Sequence, residues 1–379
     1  MTDPPAVIDV TSAALAETRA IASQLMGEVR IGMHEFVERV GWRWAAAFDA
    51  YELAVWASYD LGVRFSRRHR PRIAVAQDYR LDALIDLHAR SIQVGREVLV
   101  LLGHGSADAA LARWRTLHET AVVAMLLNAH DRGLAERYRL HEVIESYKAA
   151  LEHERHRDAL GYEPIAADEL AGLKEQRDAL VVRFGKPFAG PYGWAASALG
   201  KPRPTFAEIE AAVSVDHLRP YYRLASHPLH ANPKALSFSL AWDEGSRIRA
   251  YAPSNSGFVD PAQSALISLA QVTAALLSAV DEREQAYWLP RYRALATLID
   301  EAIDRFVVIQ TELDAEEALV RAGRLPTVEQ SRPRGLRVRV GTRIRSLLRR
   351  ADEWVLAALL TNARRPEPRP PADAGGAEH

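Results

Sequence analysis

The sequence predicts a mainly α protein: a multi-helix bundle with a small β-hairpin insertion and a basic C-terminal helical appendage. Three observations predict it. Apolar residues recur at spacings of three and four along most of the chain, the period of an amphipathic helix. Capping residues and Gly or Pro stops punctuate those stretches at helix lengths. Alternation with period two, the mark of a strand, is confined to one short region. With 379 residues, 48% hydrophobic and 26% charged, the chain has the profile of a globular protein able to bury a sizeable core.

The first helix reads from Thr11 to about Leu61, through Leu15, Leu25, Val29, Phe36, Val40, Trp44 and Ala47. Arg67-Arg68-His69-Arg70-Pro71-Arg72 reads as a basic, proline-interrupted linker and the first domain boundary. A helical hairpin spans about Asp78 to Ala129, broken at Gly103-His-Gly-Ser106, where Ser106 is placed to cap the second arm. A third helix of this part follows the turn Asp131-Arg-Gly133 and runs to about His156, and a shorter one runs from Asp168 to about Arg183.

Glycines and prolines crowd the stretch from Phe184 to Pro204, which reads as an irregular loop. Thr205-Phe-Ala-Glu208 is a capping box, and Ser214 is placed to cap the helix carrying Leu218 and Tyr222. Leu236-Ser-Phe-Ser-Leu240 and Ile248-Arg-Ala-Tyr251 alternate around Asp243-Glu-Gly-Ser246, so a hairpin is expected at about 235–252. Asp260-Pro261 gives an N-cap followed by proline, and long helices follow to about Val280 and from about Leu289 to Gly323.

Beyond Pro326 arginines dominate, and the end from Arg365 is proline-rich and reads as disordered. The expected divisions are 1–72, an N-terminal helical segment; 73–325, the bundle core; 326–364, the basic segment; and 365–379, the tail.

Composition excludes more than it selects. The formal charge is −1, so any electrostatic footprint is local. The absence of cysteine removes disulfides, thiolate metal sites and cysteine nucleophiles. The N-terminus lacks the pattern of a signal peptide, and the most apolar stretch, Leu266 to Val280, is too short to span a membrane. A cytoplasmic protein without membrane contact is expected. P-loop, dinucleotide-binding, nucleophile-elbow and His-Glu-x-x-His motifs are all absent, and no cofactor or metal is expected.

Three clusters carry candidate chemistry. In Tyr221-Tyr-Arg223-Leu-Ala-Ser-His227-Pro228-Leu-His230, Arg223 and His227 lie one helical turn apart and His230 a further three residues on. An arginine beside histidines suits phosphodiester cleavage, as charge stabiliser and general acid–base. The same residues also suit a helix C-terminus, which favours positive charge. Arg115, His118 and Glu119 form a second cluster: the ion pair either orients a neighbouring histidine or fixes helix register. The third, Glu152-His153-Glu-Arg-His156, reads as a solvated face rather than a metal site. Arg337, Arg339, Arg343, Arg345 and Arg349 form a candidate strip for nucleic-acid phosphates, or a surface for a protein partner.

The text Val98-Leu-Val-Leu-Leu-Gly103, Ala109 to Glu119, Arg137-Tyr138 with Tyr147-Lys148, and Tyr222 to His230 resembles the DUF5677 family of uncharacterised bacterial helical proteins, over about residues 80–240. The Arg223–His230 spacing, with six residues between, is also similar to HEPN domains, although Leu224 and Pro228 depart from that family's pattern. This second resemblance implies a metal-independent ribonuclease of phage defence or toxin systems, working on RNA as a homodimer. Arg223, His227 and His230 would be catalytic, with Arg115, His118, Glu119 and Tyr147 in support. The alternative is a helical sensor or scaffold that binds through its basic C-terminal segment.

Overall fold

The computed structural model describes residues 6–229, 241–242, 249–250 and 253–322. The described residues are mainly helical: α1 (Ala6–Ala76), α2 (Tyr79–Gly103), α3 (Ala107–Ala129), α4 (Arg132–Leu160), α5 (Ala167–Phe184), α6 (Ala196–Leu199), α7 (Phe206–Ala212), α8 (Arg219–Ser226), α9 (Val259–Leu277) and α10 (Glu282–Arg321). No described helix is long and apolar enough to cross a membrane.

Helix α9 is the centre of the bundle. Sixteen of its 19 residues are buried, which marks a helix apolar all round and enclosed on every side. It packs against α1, α2, α3 and α10. Trp44 of α1 is fully buried, with its ring 4.8 Å from Phe258 at the start of α9 and 5.6 Å from Phe306 of α10. Trp114 of α3 donates from Nε1 to Ser268 Oγ of α9 at 3.0 Å, so its one polar atom is satisfied where its ring is buried. Helices α4 and α5 pair on the far side of α2, while α7 and α8 lie against α3.

Local chemistry sets most boundaries. The Asp78 side chain accepts from the backbone N–H groups of Arg80 and Leu81, Asp131 from Leu134, and Asp281 from Glu284. Each satisfies donors that a helix start leaves open. Gly105, at φ +73°, turns the chain between α2 and α3. A Cβ there would stand 2.6 Å from the Phe36 ring and 2.8 Å from the Ser254 carbonyl, so both conformation and close approach require glycine. The capping box expected at Thr205 and Glu208 is present.

Several expectations are corrected. The linker expected at Arg67–Arg72 is helix, and α1 runs through Pro71 to Ala76. Distant contacts override the proline: Arg68 and His69 meet Glu284 of α10 at 3.0 and 3.1 Å, while Phe65 and Ile73 are buried on either side. The boundary expected at residue 72 therefore falls inside one continuous helix. Ser214 caps nothing. It adopts φ +61°, and a short 3-10 turn, Asp216–Leu218, leads into α8. Asp260 lies in the first turn of α9 rather than before it, Phe258 being the N-cap.

The stretch 184–204 is irregular but packed, with Phe188 and Trp194 buried. Within the region expected to form a hairpin, the described residues hold two two-residue strands. Ala241–Trp242 pairs antiparallel with Arg249–Ala250. The residues around and between them, and the basic segment beyond 322, lie outside the described residues.

Candidate functional site

Helix α8 is short, begins with Pro220 in its first turn and ends at Ser226, two residues before Pro228. A proline at each end suits this length, since the first removes a donor the helix start does not use and the second has no N–H with which to continue the helix ladder, although His227 before it keeps helical dihedrals. Tyr222 and Ala225 are buried, and Arg223 faces solvent. A single 3-10 turn, His227–Leu229, continues the chain, with His227 half-buried. Both this turn and α8 pack on α3.

The inner side of α8 is tied down by charge. Tyr222 donates its phenol proton to Glu119 Oε1 at 2.6 Å, and Arg115 donates from Nε to the same oxygen at 3.1 Å. The Arg115 guanidinium lies 4.6 Å from the centre of the Tyr222 ring, a cation–π contact. Burial first, and then the hydrogen bond to the Glu119 carboxylate, raise the Tyr222 phenol above its ordinary range. Among the described residues, the Arg115–Glu119 pair thus positions a tyrosine.

Beneath it, His118 Nε2 lies 2.9 Å from Glu210 Oε1, both side chains fully buried, and Arg219 donates to the other Glu210 oxygen. Burial alone would raise the Glu210 carboxyl, but the hydrogen bonds and charge of His118 and Arg219 outweigh it and hold it below the usual carboxylate range. The ionised carboxylate can only accept, so His118 donates from Nε2. Its Nδ1 is buried without a hydrogen-bond partner among the described residues.

Arg223 makes no ion pair among the described residues and stands on the outward side of this clamped helix. His227 follows one turn later, while His230 lies outside the described residues. Nearby, Asp260 of α9 is desolvated, and burial pushes its carboxyl up to about 6. It is close enough to Tyr221 to add to the raising of that phenol, which burial dominates. A carboxyl titrating near neutrality is a functional-site signal. The sequence offered only a capping role for Asp260, because its burial depends on elements distant in the chain.

The other candidates sit elsewhere. Tyr147 is on α4 with Arg177 of α5 over its ring at 6.0 Å, apart from the α3–α8 cluster. The His153 ring stacks on Tyr162 at 5.4 Å, and His156 meets Glu152 at 3.5 Å. Among the described residues no group of three or more histidine or carboxylate side chains could hold a metal ion. Arg337, Arg339, Arg343, Arg345 and Arg349 lie outside the described residues.

Residues 81–247 match the family described as "Family of unknown function (DUF5677)". This segment is similar to the DUF5677 family. It starts in α2 and takes in α3 to α8, so Arg115, His118, Glu119, Glu210, Tyr222, Arg223 and His227 all fall within it. All of α9, with Asp260, and all of α1 and α10 lie outside the DUF5677 match. No curated protein and no solved structure matches the chain.

Proposed function

We propose that the protein is a HEPN-like, metal-independent ribonuclease, acting as a homodimer in phage defence or a toxin system, with Arg223, His227 and His230 at its reactive centre. One observation carries the reading. Arg223, exposed and without an ion pair among the described residues, projects from the outer side of a helix whose inner side is locked to α3, with His227 one turn further on. An exposed arginine without a carboxylate partner is available to a phosphate, and a fixed helix keeps its position.

The chemistry this arrangement suits is transesterification within RNA. One imidazole takes the proton of a ribose 2′-hydroxyl, whose oxygen attacks the adjacent phosphorus. The phosphorus–O5′ bond breaks, and the leaving 5′ oxygen takes a proton from a second, protonated imidazole. The products are a 2′,3′-cyclic phosphate and a 5′-hydroxyl. Arg223 neutralises the charge that builds on the non-bridging oxygens. Neither electrons nor a metal are required for this balance.

The test is incubation of mixed total RNA with purified wild type and His230→Ala, in the presence of EDTA. The expected result is cleavage by wild type alone, with unchanged circular dichroism in the variant. Equal cleavage by both proteins, or none by wild type, contradicts the proposal.

A further inference from the structure

A cavity of about 900 Å³ opens between α1 and α2, away from α8. Its walls are Tyr59 and Val63 from α1 and Ile85, Ala89, Ile92 and Val100 from α2. That lining runs along about four turns of α2, or roughly 22 Å of helix, so the space is elongated. Its size is that of a small-molecule site, mostly apolar with a few polar groups.

The floor is built from Gly62 and His88. A Cβ on Gly62 would stand 2.4 Å from the His88 ring, so glycine alone lets that ring lie across α1. Thr273 donates to the Leu269 carbonyl at 2.8 Å, so Ser58 donates to Thr273 Oγ1, also at 2.8 Å. His88 Nε2, 3.2 Å from Ser58 Oγ and 3.3 Å from Thr273 Oγ1, is then the donor to both. Burial takes the His88 imidazole down to about 4, so this floor is uncharged near neutral pH.

Charge is confined to the rim. Asp86 is neutralised by Arg139 at 2.6 Å and Arg70 at 3.7 Å, and Glu97 by Arg113. Arg96, also on the rim, is exposed and has no hydrogen-bond or ion-pair partner among the described residues. The site therefore combines a long apolar groove, open to solvent along Tyr59 and Val100, a neutral floor and, among the described residues, one unpartnered cation at its rim.

We infer that this cavity binds an elongated apolar molecule with a single carboxylate head, its tail along α2 and its head on Arg96. An arginine meets a carboxylate through two parallel hydrogen bonds, and the uncharged walls reject any second charge. The site is independent of the ribonuclease reading, since it shares no residue with α8.

Isothermal titration calorimetry with dodecanoate below its micellar concentration tests this, with dodecanol and dodecyltrimethylammonium as the neutral and cationic counterparts. Dodecanoate is expected to bind at least about tenfold more tightly than dodecanol, the effect of one charge-assisted hydrogen-bonded pair. The cation should give no binding heat. Arg96→Gln should bring dodecanoate to the affinity of dodecanol, and Ala89→Trp, a substitution at an exposed lining position, should abolish binding of both. Both variants should keep the wild-type circular dichroism and thermal midpoint. Absence of dodecanoate binding, equal binding of the cation, or binding that survives Ala89→Trp in a folded variant overturns the inference.

Discussion

Two buried histidines, one on each side of the bundle, are solved in opposite ways. His88 on α2 meets only hydroxyls, those of Ser58 and Thr273, whereas His118 on α3 meets the carboxylate of Glu210, itself gripped by Arg219. Both side chains are almost completely withdrawn from water. Burial is therefore common to both, and the neighbours decide the electrostatics. Without a charge nearby, His88 avoids its charged form; next to Arg219 and His118, Glu210 keeps its own. The neutral arrangement lies beneath a cavity, and the charged one fastens the helix that carries Arg223.

The contrast can be broken most strongly at Glu210. Glu210→Ala strands the buried His118 and the charge of Arg219, and should cost about 3–5 kcal/mol, the range for removing one partner of a buried ion pair. Urea unfolding at neutral pH measures it, and a loss below about 1 kcal/mol would show that the cluster is not the anchor described. Because the Glu210 carboxyl is depressed in the folded state, the stability it confers is present above its unfolded range and is lost as pH falls through its folded value.

The second effect belongs to His88. Its folded-state value is lowered from 6.5 to about 4, so the unfolded chain takes up a proton first as pH falls. The stability is complete above about 6.5 and disappears as pH drops toward 4, a change of about 3 kcal/mol from this residue. Unfolding free energies of wild type and His88→Gln across that window should converge toward low pH. Parallel curves would mean that His88 is not held neutral by the fold.

The smallest expected change is Tyr222→Phe. It removes the phenol that donates to Glu119 while leaving the ring under Arg115. One hydrogen bond to a partly exposed carboxylate contributes about 1 kcal/mol, readable as a shift in the urea midpoint. A shift beyond about 3 kcal/mol would show that the ring, and not the hydroxyl alone, had been displaced.

The parts of this protein that are legible in its sequence are those fixed by near neighbours. The hairpin of α2 and α3, the turn at Gly105 and the capping box at Thr205 follow from residues within a turn of one another. What was hidden depends on contacts made across the chain. Pro71 reads as a break until Glu284, more than two hundred residues later, holds Arg68 and His69. Arg115, His118 and Glu119 stand out as a cluster, yet Glu210, 92 residues from His118, supplies the counter-charge. Nothing local marks Gly62 as the residue that lets the His88 ring cross α1. Arg223 and His227 were visible by spacing, and the structure adds that Arg223 faces solvent from a fastened helix.

The most direct test of the account is the chemistry left on a cut RNA end. A uniform single-stranded RNA should be incubated with wild type, Arg223→Ala and Arg223→Lys in EDTA, and the fragment termini analysed. The account predicts 2′,3′-cyclic phosphate ends from wild type, a loss of at least about 100-fold in rate with alanine, and partial recovery with lysine. Fragments carrying 5′-phosphate ends, or an alanine variant as fast as wild type, would contradict it.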